Sequence, residues 1–424
     1  MNAHVPVTSH ASRIQRVISP GGIEAWLVED YTVPLIALEF AMEGGASQDP
    51  QGRAGLANML ASVIDEGAGP YDSAAFHERL DEFAIELHFR ADRDQFTGQL
   101  KTLTKHRAEA FDMLRLAINE PRFDTEPVER VRAQIVAGLR QEMNDPDSMA
   151  GRAFFATAFA GHPYANPVRG TLETMPTITR DDLVAMRQAC FARDRLKIGV
   201  VGAIDAKTLG FALDETFGAL PANAKLNAIP LIVPHGTGMR ELIDLDIPQS
   251  SVRFGAPGLL RTDPDWVAAV VVNHVLGGGV FSSRLFREVR EKRGLAYSVY
   301  SQLVPFNHAG LYIGGTSTKN ERVKESLDII GAEIASLAKD GPNEDELSTA
   351  KKYLIGSYAL RFDTSTKLAD QLVRLQVEEL GMDYMDRRNG LVAAVTREDA
   401  TRTAKRLFGE GQFLATIVGR PAGL

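Results

Sequence analysis

The order of strand-like and helix-like segments runs through this chain twice, and that repetition limits the folds open to it more than any single motif does. In the first pass "RIQRVIS", the turn Pro20-Gly21-Gly22, "IEAWLVED" and "VPLIALEFAMEGG" read as strands. In "GLANMLASVIDEG", Leu56, Met59, Leu60, Val63 and Ile64 recur at helical spacing until Gly67 stops the run. The helical "SAAFHERLDEFA", the strand-like "IELHFRADRDQFTGQL" and the long helix "PVERVRAQIVAGLRQEM" follow. Beyond residue 222 the chain loosens into "PANAKLNAIPLIVPHGTGM", which has the composition of a linker. The order then restarts with "RELIDLDIPQSSVRFGAPG", "DPDWVAAVVVNHVLGG", "SSRLFREVREKRG", "LAYSVYSQLV", "AGLYIGGTST" and "NEDELSTAKKYLIGSYALRF". Residues 125–139 overlie residues 343–357, with Gly138 opposite Gly356. This predicts a first domain over residues 1–222, a linker over 223–238 and a second domain over 239–424. The irregular mixing of hairpins and helices predicts an α+β fold of two homologous units of roughly 200 residues.

Composition narrows the function. With 424 residues, 44% hydrophobic and 24% charged, the chain has the make-up of a globular protein with a sizeable core. A net charge of −8 argues against general binding to nucleic acid or anionic membrane. No apolar run approaches the roughly 18 residues of a membrane span. The single cysteine, Cys190, leaves no internal disulfide and no zinc site built from several thiolates. Of the nine histidines (His4, His10, His77, His88, His106, His162, His235, His274 and His308), no two stand three or four apart, as metal ligands on one helix face would. His162, in "GHPYANP", reads as a turn residue satisfied by backbone. The opening "MNAHVPVTSHASRIQRVISPGG" has no apolar core of the kind a signal peptide carries, so none is expected in the chain as it begins.

The segment richest in chemistry is "LGGGVFSSRLFREVREKRGLAYSVYS", Leu276 to Ser301. It lacks the Lys-Ser/Thr pair and the spaced glycines of a phosphate cradle, so Gly277, Gly278 and Gly279 read first as a tight turn. Ser282 or Ser283 is placed to cap a helix with the apolar face Leu285, Phe286 and Val289, and Gly294 to end it in a left-handed conformation. "LAYSVYS" then alternates as a strand that puts Tyr297, Val299 and Ser301 on one face. A helix–turn–strand corner of this length brings Arg290 near Tyr297. From the residues alone, Arg290 reads equally as one arginine among several on a solvated helix, and Tyr297 as a half-buried strand aromatic.

Four segments, "GGASQDPQGRAGLANML", "HPYANPVRGT", "LKIGVVGAID" and "GGGVFSSRLFREVREKRGLAYSVYS", make the chain resemble the M16 (insulinase/pitrilysin) metallopeptidase family over nearly its whole length, M16B-type bacterial proteins in particular. The resemblance implies two domains, each a mixed, mostly antiparallel sheet packed with helices. Active members carry His-x-x-Glu-His, in which two histidines on one helix face bind zinc and the glutamate activates water. Here Asn58 and Ser62 occupy the histidine positions and Ala61 that of the base; Gly138 falls where kin place a further glutamate ligand. Amide and hydroxyl are poor zinc ligands, and alanine accepts no proton. What matches residue by residue is the family's active-site pair, Arg290 and Tyr297, seven positions apart, with Gly277–Gly279 beside the substrate path. The resemblance thus implies a non-catalytic subunit with no cofactor of its own, heterodimeric with a zinc-bearing M16B homologue, complementing that partner's site and binding a peptide or unfolded polypeptide. The alternatives are a catalytically retired structural or assembly protein and a homodimeric peptide-binding protein. Similar bacterial pairs favour the periplasm; the N-terminus, if native, favours the cytoplasm.

Overall fold

A computed structural model describes residues 13–409 and 411–424. His4, His10 and the expected absence of a signal peptide lie outside the described residues. Eleven strands are described: β1 (Gln15–Ile18), β2 (Glu24–Glu29), β3 (Leu35–Glu43), β4 (Glu86–Ala91), β5 (Gln95–Leu103), β6 (Lys197–Gly202), β7 (Arg240–Ile243), β8 (Gln249–Pro257), β9 (Ala296–Pro305), β10 (Gly310–Lys319) and β11 (Leu414–Val418). They form one sheet of order β1-β2-β6-β3-β5-β4 and another of order β7-β11-β8-β10-β9. In the first, only β2 and β6 run parallel; in the second, only β7 and β11 do. With β1 set aside, the two sheets have one topology. The duplicated α+β plan, mixed and mostly antiparallel, is therefore realised strand by strand.

The chain gathers into two compact units that interleave in sequence. The first takes the residues up to Ala137, Val168–Ala228 and Ala359–Arg388; the second takes Gly138–Pro167, Ile229–Tyr358 and Asn389–Leu424. Each sheet is thus covered on one face by a helix from the other half of the sequence. In the first unit the Ser365–Val377 helix lays Ala369, Leu372 and Leu375 against Trp26, Val28, Ala37 and Val201. Gly199 permits that approach: a Cβ there would stand 2.5 Å from the Ala369 carbonyl oxygen. In the second unit the Pro146–Ala158 helix brings Phe154 and Ala158 onto Leu311, Ile313 and Leu414, and a Cβ at Gly255 would meet the Phe154 ring at 2.7 Å. Strands covered on both faces are buried continuously, as β3 and β11 are, with Glu39 and Thr416 enclosed among apolar residues, whereas β5 alternates buried and half-buried residues. The opposite face of the second sheet is closed by the Trp266–Asn273, Val323–Asp340 and Arg397–Phe408 helices, which supply Val271, Val272, Leu327, Ile330 and Ala404 to its core.

Candidate functional site

In the first unit the Leu56–Val63 helix buries Leu56, Met59, Leu60 and Val63, and Ile64 just beyond it, as their spacing predicts. Its N-terminus has no cap from its own flank. Instead the buried carboxylate of Asp49 accepts from the backbone N–H groups of Gly55 (2.7 Å) and Ala57 (2.8 Å). Burial pushes the Asp49 carboxyl up to about 7 against the pull of these N–H groups. Sequence reasoning missed Asp49, because an acid seven positions before a helix gives no local capping signal. On the other helix face Asn58 and Ser62 are half-buried, and Ala61 is buried. The Ser62 hydroxyl donates to the Asn58 backbone carbonyl at 2.8 Å, so it is already engaged within its own helix. Gly138 lies in the last two turns of the Thr125–Glu142 helix. An amide, a methyl, an engaged hydroxyl and a glycine do not fit a zinc ion. Among the described residues no three His, Cys, Asp or Glu side chains gather as metal ligands would. His162 is held as its turn requires: Nδ1 accepts from the Tyr164 N–H at 3.1 Å, and Nε2 stands 2.9 Å from the Pro230 carbonyl oxygen.

In the second unit the structure brings Arg290 and Tyr297 together, with the guanidinium carbon 4.8 Å from the centre of the phenol ring. The corner that does so departs from the expected helix. Residues Phe286–Glu291 form a π-helical turn, closed by the Lys292 N–H donating to the Arg287 carbonyl at 3.0 Å. A second π-turn spans His274–Gly278, and such turns gather at functional sites. Ser283 is the capping residue of the two foreseen, its Oγ accepting from the Phe286 N–H at 3.4 Å, while Ser282 donates to the Gly279 carbonyl. Gly294 takes the left-handed conformation at φ 58°.

The expected sharing of one face by Tyr297, Val299 and Ser301 is corrected. Ala296 faces Thr318 and Val299 faces Thr316 across β9 and β10, so Tyr297 and Ser298 together oppose Ser317. This bulge breaks the alternation: Val299 and Ser301 stay buried, while Tyr297 turns out with 84% of its surface exposed. A bulge leaves no trace in a run of alternating residues.

The surrounding charges separate Arg290 from its neighbours. Arg284 is buried and bonded to Glu346 at 2.7 and 2.8 Å; Arg287 reaches Glu346 at 3.3 Å; Glu288 holds Lys292 at 2.6 Å and Arg293 at 2.7 Å. These partners keep the Glu288 carboxyl below its ordinary range, led by the hydrogen bond from Lys292. Among the described residues Arg290 has no carboxylate partner; it stacks on Tyr297 and, also at 4.8 Å, on Phe286. Phe286 in turn packs edge-on to Phe281, which is 71% exposed. Phe281 escaped the sequence reading; an apolar residue between the glycine run and the serine cap was its signal. Behind this stack Gly277 is buried where a Cβ would stand 2.8 Å from the Ser301 backbone nitrogen, while Gly278 is exposed and Gly279 half-buried. Ser301 and Asn273 bond each other beneath, the hydroxyl donating to Oδ1 at 2.8 Å.

The second unit thus presents a guanidinium held on an exposed phenol, within a duplicated α+β chain. The chain belongs to the M16 family: the insulinase (peptidase family M16) model matches residues 27–172, and the peptidase M16 inactive-domain model matches residues 177–354. It is 29% identical to a Helicobacter pylori protein named non-peptidase homolog YmxG, over 79% of this chain and 78% of that one. To an uncharacterized zinc protease of Streptomyces coelicolor it is 26% identical, over 95% and 89% of the two chains. The crystal structure of a peptidase M16 inactive domain from Pseudomonas fluorescens superposes with a TM-score of 0.90 at 25% identity, over 96% of this chain and 98% of that one. The names of these relatives divide between a non-peptidase homolog, a zinc protease and an inactive domain.

Proposed function

We propose that the chain is the non-catalytic, substrate-binding subunit of a heterodimeric M16B zinc peptidase, with Arg290 and Tyr297 completing the partner's zinc site. The observation that carries the reading is the state of Arg290. Its basic neighbours Arg284, Arg287, Lys292 and Arg293 are neutralised by Glu346 or Glu288, and it alone among them is left to an exposed phenol. A solvated helix face gives no reason for that difference. A guanidinium N–H and a phenolic O–H are donors matched to a scissile carbonyl whose oxygen gains charge as water attacks. The metal and the base belong to the partner, because Asn58, Ala61, Ser62 and Gly138 supply neither.

The test is a quenched-peptide assay on this chain, on a zinc-bearing M16B homologue and on their mixture. Neither chain alone should cleave, and the mixture should. If the homologue alone is as fast as the mixture, the complementing role is wrong and the retired-scaffold reading takes its place. The name borne by the Helicobacter pylori relative favours that second reading.

A further inference from the structure

Strand β9 carries a second tyrosine whose surroundings the pair Arg290 and Tyr297 does not explain. Along this strand Ala296, Val299 and Ser301 are buried, while Tyr297, Ser298, Tyr300 and Gln302 are exposed. In an unbroken strand residues three apart face opposite ways. The bulge at Tyr297 and Ser298 cancels one step, so Tyr297 and Tyr300 emerge together. Tyr300 opposes Gly315, two ladder positions from Ser317, which is roughly 7 Å along the strand. Tyr300 does not hang free: only 39% of it is exposed, and its ring lies across Gly315. A Cβ at Gly315 would stand 3.1 Å from the phenol oxygen and 3.3 Å from Cε1. The phenol oxygen accepts from one arm of Arg253, and the other arm donates to Asp147 at 2.7 Å. The second Asp147 oxygen accepts from the Ser251 hydroxyl at 3.1 Å. One group in this relay is left over. A phenol oxygen that accepts still has its own proton to give, and among the described residues none takes it. A tyrosine that merely covered surface would need neither a glycine beneath its ring nor a half-buried guanidinium at its tip.

We infer that Tyr300 is a further substrate-positioning residue, donating its O–H to a main-chain carbonyl of the polypeptide that Arg290 and Tyr297 engage. This rests on the complementing role proposed above. A phenol whose oxygen accepts from a guanidinium is the stronger donor for it. The acceptor is a neutral carbonyl and not an acidic side chain, because Asp147 leaves Arg253 no surplus charge. An extended polypeptide turns a carbonyl to the same side at every second residue, roughly 7 Å apart. That is the spacing of the two tyrosines on β9, so Tyr300 takes the carbonyl two residues from the scissile one, on one flank of the cleaved bond.

The test is steady-state kinetics of this chain mixed with the zinc-bearing homologue, with products separated by chromatography. One peptide extends well beyond the cleaved bond on both sides; two others are trimmed to a single residue on one side or the other. Tyr300→Phe keeps the ring over Gly315 and removes only the hydroxyl. It should raise KM for the long peptide about 3–10-fold, as loss of one hydrogen bond implies, and leave kcat unchanged. The increase should vanish on the peptide trimmed on one side and persist on the other, which a merely structural tyrosine would not do. With the unaltered chain, trimming that same side should raise KM by at least the same factor, so the test holds even if the variant misfolds. An unchanged KM on the long peptide, or an equal rise on all three, overturns the inference and leaves the complementing role standing. A mixture that cleaves nothing overturns the complementing role, and this inference with it.

Discussion

The two units are built on one strand order and have opposite chemical characters. On one face of its Leu56–Val63 helix the first carries Asn58, Ala61 and Ser62, an amide, a methyl and a hydroxyl already bonded within the helix. The second keeps its exposed donor pair and spends two π-turns and a strand bulge on presenting it. Carboxyls shift both ways in both units, since Ser73 and Arg130 hold Glu66 of the first down against its burial and burial pushes Glu333 of the second up. The first unit buries carboxyls that resist ionising, with Glu39 and Asp49 pushed up to about 7 and Asp65 to about 6, all three by burial. In the second, Asp263, Asp265 and Glu346 lie below their ordinary range, where arginines face them. One topology therefore tolerates loss of chemistry in one copy and close geometric control in the other.

The largest effect should come from erasing the contrast. The chain as it stands should hold no stoichiometric zinc after dialysis. The combined change Asn58→His, Ala61→Glu, Ser62→His and Gly138→Glu should hold one ion per chain by elemental analysis, because His at 58 and 62 share a helix face. Zinc already bound by the unaltered chain would end the non-catalytic reading of the first unit.

Next in size is loss of the donor pair. Tyr297→Phe and Arg290→Ala should each lower kcat of the assembled enzyme on the order of 10²–10³-fold while size-exclusion chromatography shows intact complexes. Arg290→Ala should also raise KM, if the guanidinium holds the ground-state carbonyl. Near-unchanged kcat in both variants makes the pair ordinary surface.

The helices exchanged between the halves of the sequence should matter equally to both units. Leu372→Ala and Phe154→Ala each empty a packed site, costing about 2–5 and about 3–5 kcal/mol respectively. Hydrogen exchange should show β2, β3 and β6 opening in the first variant and β8, β10 and β11 in the second. Both sheets loosening in either variant would deny that the units are separate cores.

Smallest and most specific is the response to pH. Glu39, Asp49 and Asp65 hold protons in the folded state that the unfolded chain has released, so their contribution weakens the first unit as pH rises from about 4 to about 7. Asp263, Asp265 and Glu346 bind protons less readily when folded, so the stability they give the second unit is present above the ordinary carboxylate range and lost as pH falls below it. The chain has two tryptophans, Trp26 in the first unit and Trp266 in the second. Trp266→Phe and Trp26→Phe therefore isolate a reporter for each. Urea midpoints reported by Trp26 should fall between pH 5 and pH 8, and Asp49→Asn should flatten that fall. A slope unchanged by Asp49→Asn would remove Asp49 from the account.

Local chemistry was legible in the sequence; distant pairing was not. The apolar stripe of the Leu56–Val63 helix, the turn around His162, the left-handed Gly294 and the approach of Arg290 to Tyr297 all follow from residues within one turn or one corner of each other. The overlay of Gly138 on Gly356 fell close to the two places where the chain passes from one unit to the other, after Ala137 and after Tyr358. What the overlay could not say is where the following helices go, since Ser365–Val377 carries an ordinary amphipathic pattern that names no partner. The insertion of β6 between β2 and β3, and of β11 between β7 and β8, was equally silent, because a short apolar run fixes burial and not neighbours. The π-turns and the bulge went unread because each is a shift of one hydrogen bond, which composition does not record.

The exchanged helices also govern the order in which the molecule can come into being. On a ribosome the chain emerges N-terminal side first, and the first sheet has its strands once Gly202 is out. Its covering helix arrives only with residues 365–377, after the next sheet has received all its strands but β11. The nascent protein must therefore carry an apolar sheet face, with Trp26, Ala37 and Val201 uncovered, through the synthesis of more than 150 further residues. A gene split at the linker would yield two polypeptides that each lack a wall of their own core. Both units therefore close from the far end of the chain, the first with residues 365–377 and the second with β11.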